Sequence, residues 1–157
     1  MASANNNLSS YNDPKFPDGK DLRIALVVAQ WNQAITNKLY HGARKTLLEH
    51  NVVAENIVKF EVPGSFELIY GSRQAQAQNF DVVIAIGCII QGETRHFEFI
   101  GNAVAQGIKD LNLNGKSPVI FCVLTDDNIG QSQARSGGKF GNKGVEAAIA
   151  ALNVILL

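Results

Sequence analysis

Apolar and polar positions come in alternating blocks along this chain. Residues 22–30, LRIALVVAQ, are a continuous apolar run of strand length. Residues 32–50 follow, with Ile35, Leu39, Ala43 and Leu47 four apart along one helical face. The pair of patterns then repeats. Residues 56–63 (NIVKFEVP) read as a second strand closed by Pro63-Gly64, and residues 65–78 read as a helix that tolerates Gly71. Residues 81–90 (DVVIAIGCII) are apolar on both faces, which places the third strand centrally in a parallel sheet. A helix over residues 94–111 carries Phe97, Ile100, Val104, Ile108 and Leu111 on one stripe. Residues 118–125 (PVIFCVLT) form a fourth strand and residues 145–156 a last helix. Residues 126–144 are polar and broken by Gly137, Gly138, Gly141 and Gly144, so no continuous helix is predicted there.

Strands separated by helix-length segments predict parallel pairing with right-handed crossovers. The fold class is α/β: a flavodoxin-like three-layer α/β/α sandwich whose four-stranded parallel sheet has the order 2-1-3-4. One domain spans residues 21–157. Residues 1–20, rich in Asn, Ser and Pro and without periodicity, form an N-terminal tail that is mobile or docked on another surface.

Composition changes this picture little but narrows the partners. Lys and Arg number 14 against 14 Asp and Glu, so there is no basic surplus to hold a nucleic acid or an anionic membrane. Cys88 and Cys122 sit in apolar runs without metal-ligand spacing and read as buried core thiols. No apolar span reaches membrane length and the start lacks a signal-peptide pattern, which predicts a soluble, cytoplasmic protein.

In open α/β sheets, ligands bind beyond the carboxyl ends of the strands. Those ends deliver Trp31 and Asn32, residues 64–67, residues 88–96 and residues 125–127. Trp31, the single tryptophan, is either a core-capping aromatic or a flat surface on which a heterocycle stacks. Glu67 lies in the first turn of a helix, where the dipole favours a carboxylate anyway; its other reading is an acceptor for substrate hydroxyls. Gly92 lets the backbone turn and Thr94 is a suitable N-cap. The amides of Glu93, Thr94 and Arg95 would then face an anion, with His96 in the same first turn. His96 is either a general base or a solvent-facing residue. Arg135, Lys139 and Lys143 form a solvated basic loop or a phosphate clamp, with Arg135 as the bidentate member. A Walker motif, a GxGxxG after the first strand and a GxSxG are all missing from the sequence, which weighs against Mg²⁺-dependent phosphoryl transfer, dinucleotide binding and serine hydrolysis.

Five motifs in order, WN after the first strand, VPGSFELI, GCIIQGETRHFEFI, PVIFCVLT and ARSGGKFGNKGVEAA, together resemble the 6,7-dimethyl-8-ribityllumazine synthases of riboflavin biosynthesis. The resemblance covers residues 22–157. It implies a transferase that condenses 5-amino-6-(D-ribitylamino)uracil with 3,4-dihydroxy-2-butanone 4-phosphate, releases phosphate and water, and needs no metal or organic cofactor. By position it makes Trp31 the aromatic stacked on the pyrimidine, with Asn32 beside it. Ser65, Phe66 and Glu67 take the ribityl segment, and Cys88, Ile89 and Ile90 the strand end whose backbone reads the ring. Glu93 and Thr94 match the phosphate-binding turn with Arg135 as cationic partner, and His96 matches the catalytic histidine. Phe121 matches a second ring contact and Lys143 a lysine near the pyrimidine.

Phe121 lies early in the fourth strand, far from the carboxyl edge, so one subunit has trouble bringing it to that ligand. The resemblance implies sites between neighbouring subunits of a homopentamer, with Phe121 and Arg135 supplied by the second chain and the tail added to a neighbour's sheet. Some members of the family build an icosahedral shell of twelve pentamers, and SGGKFGNKG lacks the insertion of pentamer-only members. Riboflavin synthase is a candidate partner, and Pro14 and Pro17 bear on how the tail docks. A non-catalytic flavin- or pterin-binding protein and an inert shell protein are the rival readings; the first has no need of His96 and Arg135 together, and against the second every matched site position holds a suitable residue.

Overall fold

The computed structural model describes residues 7–11 and 18–157. Strands β1 (Ile24–Ala29), β2 (Ile57–Val62), β3 (Val82–Ile90) and β4 (Val119–Asp126) form one parallel sheet in the order β2-β1-β3-β4, as the patterning predicts. Helices α1 (Gln33–Glu49), α2 (Leu68–Gln76) and α3 (His96–Asn114) follow β1, β2 and β3, and α5 (Lys143–Val154) closes the chain.

Alternation along β1 divides the core. Ile24, Leu26 and Val28 face Leu39, Ala43 and Leu47 of α1 and Ala148 and Leu152 of α5. Ala25, Val27 and Ala29 face the other layer, packed with Leu68 and Ala75 of α2 and Val104 and Ile108 of α3. Ile84 and Ile86 of β3 are 0% exposed, and each such side chain stabilises the fold by roughly 1.5–3 kcal/mol relative to exposure. With both faces covered, every loop at the carboxyl ends of the strands rests on a rigid base.

Residues 126–144 hold more structure than the sequence predicts. Asn128 caps a short helix α4 (Ile129–Arg135), its side chain accepting the Gln131 amide at 3.1 Å. Gly137, at φ 111°, then turns the chain into a hairpin of β5 (Ser136–Gly138) and β6 (Gly141–Asn142). The glycines do stop a continuous helix, but one capped segment fits before them. Residues 7–11 run beside this hairpin of their own chain: the Leu8 amide donates to the Phe140 carbonyl at 2.7 Å, and the Asn142 amide to Ser9 Oγ at 2.9 Å. Pro14 and Pro17 lie outside the described residues. Among the described residues no helix is long and apolar enough to cross a membrane.

Candidate active site

A cleft of about 590 Å³ opens at the carboxyl ends of β1, β2 and β3, the edge where an open α/β sheet holds its ligands. Pairing of β1 with β2 continues past the strands, the Gln30 amide donating to the Val62 carbonyl at 2.8 Å and the Trp31 amide to the Pro63 carbonyl at 3.0 Å. This holds the backbone of Trp31 while its side chain stands free, 72% exposed at the cleft wall. A core-capping aromatic would be buried, and Trp31 is not. Asn32 follows in the left-handed region, at φ 58° and ψ 42°. Its side-chain amide donates to the Cys88 carbonyl at 2.9 Å, tying the end of β1 to the end of β3.

Ser65, Phe66 and Glu67 come from the turn between β2 and α2. Ser65 is 7% exposed and its Oγ has no partner among the described residues, although a buried hydroxyl left unpaired costs about 1–3 kcal/mol. An incoming ligand hydroxyl would relieve that cost. Glu67 sits at the cap position of α2 but makes no side-chain cap bond, so its carboxylate is not committed to the helix.

Cys88, Ile89 and Ile90 form the end of β3 in the cleft. The Cys88 thiol donates to Ser132 Oγ at 3.4 Å, and that hydroxyl donates to Asp126 Oδ2 at 2.7 Å. Burial first, and the Asp126 charge as well, push the thiol above its ordinary range, so it stays protonated and is no nucleophile at neutral pH. Gly92, Thr94, His96, Phe97 and Ile100 complete the wall. The N-cap of α3 is Arg95 rather than Thr94; Thr94 Oγ1 supplies a cap-like bond from one residue further out, accepting the His96 amide at 3.4 Å. Arg95 turns along its own helix, pairing with Glu98 at 3.1 Å and standing over the Phe99 ring. Exposed pairs of this kind contribute little to stability.

The cleft therefore brings together Trp31, Asn32, Ser65, Phe66, Glu67, Cys88, Ile89, Ile90, Thr94 and His96. Glu93, Phe121, Arg135 and Lys143 do not line it. Phe121 pairs in register with Ala85, mid-sheet on the edge strand β4, and is 37% exposed. Arg135 ends α4, where Nη1 donates to the Gln131 carbonyl at 3.1 Å and Nε lies 4.0 Å from Asp126. Lys143 opens α5 and is held by Glu146 at 2.6 Å. The sequence reading missed Asp126 and Ser132 as a buried polar pair and Phe97 and Ile100 as wall residues. The signal for the second pair was present: Ile100 follows His96 by four positions and Phe97 by three, so Ile100 neighbours both on the helix surface. Among the described residues no group of three His, Cys, Asp or Glu side chains is placed to hold a metal ion.

A cleft at the carboxyl edge of a parallel sheet, lined by polar and aromatic side chains that a ligand can reach, is where an α/β enzyme holds a small molecule. Residues 21–157 match the family model described as 6,7-dimethyl-8-ribityllumazine synthase, and the chain belongs to that family. It is 56% identical over 155 residues to the 6,7-dimethyl-8-ribityllumazine synthase of Flavobacterium johnsoniae, covering 98% of this chain and 82% of that protein. It is 55% identical over 160 residues to the synthase of Christiangramia forsetii, with 100% and 95% covered. The protein of the same name from Porphyromonas gingivalis is 52% identical over 155 residues, with 98% and 96% covered.

Proposed function

We propose that this protein condenses 5-amino-6-(D-ribitylamino)uracil with 3,4-dihydroxy-2-butanone 4-phosphate to give 6,7-dimethyl-8-ribityllumazine, phosphate and water. The observation that carries the reading is the gathering of Trp31, Ser65, Glu67 and His96 on one cleft in a chain of this family. Trp31 offers a face for the pyrimidine. Ser65 and Glu67 offer a donor–acceptor and an acceptor for the ribityl hydroxyls. The uracil 5-amino group attacks the ketone and water leaves to give an imine; phosphate is then eliminated, the resulting enol becomes a carbonyl, and the ribitylamino nitrogen closes the second ring on it with loss of a second water. His96, at the start of α3, takes and returns protons in these steps. Holding two substrates in one place supplies much of the acceleration.

The protein works as a homo-oligomer in this reading. Phe121 stands exposed on an edge strand and Arg135 lies off the cleft of its own chain, which suits both to serve the cleft of a neighbour. A homopentamer, alone or as the unit of an icosahedral shell that could enclose riboflavin synthase, is the assembly proposed, and the cytoplasm is its place. Mixing both substrates with the protein tests the activity. The expected result is lumazine absorbance rising in one-to-one step with released phosphate, with neither signal when either substrate is omitted. Binding of the ribityl pyrimidine without phosphate release would leave only a binding protein.

A further inference from the structure

Arg135 is held on three sides. Its Nε faces Asp126 Oδ1 at 4.0 Å, its Nη1 donates to the Gln131 carbonyl at 3.1 Å, and its guanidinium carbon stands 5.0 Å from the centre of the Phe140 ring. Among the described residues the edge carrying Nη2 has no partner. The carboxylate on the Nε side is itself fixed, since Asp126 is 6% exposed and its other oxygen accepts from the Ser132 hydroxyl, a residue with no exposure at all. Ser132 in turn accepts from the Cys88 thiol, which lines this chain's own cleft. The thiol thus donates to the hydroxyl and the hydroxyl to the carboxylate, so the line of donors ends at Asp126, whose other oxygen faces the guanidinium. Burying an Asp and a Ser beside a half-exposed arginine costs desolvation, and a surface arginine has no need of it.

From this geometry we infer that Asp126, locked by Ser132, is a positioning residue for Arg135: it fixes the guanidinium so that the Nη2 edge meets the substrate phosphate without first being ordered. The inference rests on the proposal that Arg135 binds that phosphate. Arginine carries much rotamer freedom, and a group pre-ordered for its ligand loses less on binding. Asp126 also opposes the phosphate by charge, so the account requires that ordering outweigh repulsion.

The test measures inhibition by inorganic phosphate and the separate KM values of the two substrates. Arg135→Gln, Asp126→Asn, the double variant and Ser132→Ala are compared with the intact chain as purified assemblies. Asp126→Asn should weaken phosphate inhibition, and raise KM for the phosphate-bearing substrate, on the order of tenfold. KM for the pyrimidine and the melting temperature should stay near those of the parent. In the Arg135→Gln background, Asp126→Asn should add nothing. Ser132→Ala should shift phosphate in the same direction by less, and it carries the test if Asp126→Asn does not assemble. Loss of phosphate affinity in Arg135→Gln with none in Asp126→Asn, or tighter phosphate in Asp126→Asn, would overturn the inference and leave the role of Arg135 standing. Unchanged phosphate affinity in Arg135→Gln would instead remove the reading beneath it.

Discussion

Replacing Asn32 separates two physical demands made at one position. Its backbone is left-handed, at φ 58° and ψ 42°, which costs a residue with a Cβ roughly 1–2 kcal/mol unless its side chain compensates locally, as Asn does. Its amide also satisfies the Cys88 carbonyl at 2.9 Å, a bond worth about 1 kcal/mol net in a partly buried setting. Asn32→Ala loses both and should destabilise the protein by about 2–3 kcal/mol. Asn32→Gly keeps the conformation and loses only the bond, so it should cost about 1–2 kcal/mol, part of it from the added freedom of the unfolded chain. Asn32→Asp keeps the left-handed tolerance but turns a carboxylate oxygen toward a carbonyl oxygen, and should fall nearer to Ala. Urea unfolding followed by circular dichroism at one fixed protein concentration gives the three values. A glycine variant no more stable than the alanine variant would show that the left-handed backbone is not what the position demands.

The site yields further expectations. Trp31→Ala should raise KM for the pyrimidine by about 10- to 100-fold, since stacking a base on an aromatic ring contributes about 1–3 kcal/mol, with less effect on KM for the phosphate-bearing substrate. Equal losses for both substrates would deny the shelf its role. His96→Ala should lower kcat by about a hundredfold without abolishing turnover, the residue being proton transfer rather than substrate capture; full turnover would remove it from the mechanism. Alkaline pH should unfold the protein through Cys122, whose thiol burial pushes up to about 12 from an ordinary value of 9.0. The unfolded chain loses that proton first, so stability is intact below about pH 9. It then falls by up to about 1.4 kcal/mol per pH unit as pH rises toward 12. A Cys122→Ala variant should show a shallower slope over that window, and an equal slope would contradict the account.

What was legible in the sequence was what repeats. The apolar runs of β1 and β3 and the four-residue spacing of Ile35, Leu39, Ala43 and Leu47 follow from burial on one or two faces, so order, layers and the carboxyl edge could all be read. Of the site, the residues next to strand ends in the sequence were readable: Trp31, the turn before α2 and the segment from Cys88 to His96. What was hidden depends on contacts made far along the chain. Helix α4 carries too few residues for a period and is set by the Asn128 cap and the stop at Gly137. The Asp126–Ser132 bond joins two ordinary polar residues whose burial appears only once α4 lies over β4. Trp31 shows the same limit in reverse, because sequence alone left its exposure open and the fold decides it.

The central claim is a site shared between chains, with His96 from one subunit and Arg135 from the next. Subunit mixing tests it most directly. Unfolded His96→Ala and Arg135→Gln chains, mixed in equal amounts and refolded together, should recover activity in about one quarter of their sites, those pairing an intact histidine with an intact neighbouring arginine. Lumazine formation well above the mean of the two separately refolded variants is the predicted result. A mixture no more active than that mean would place both groups on the same chain, or one of them outside the reaction.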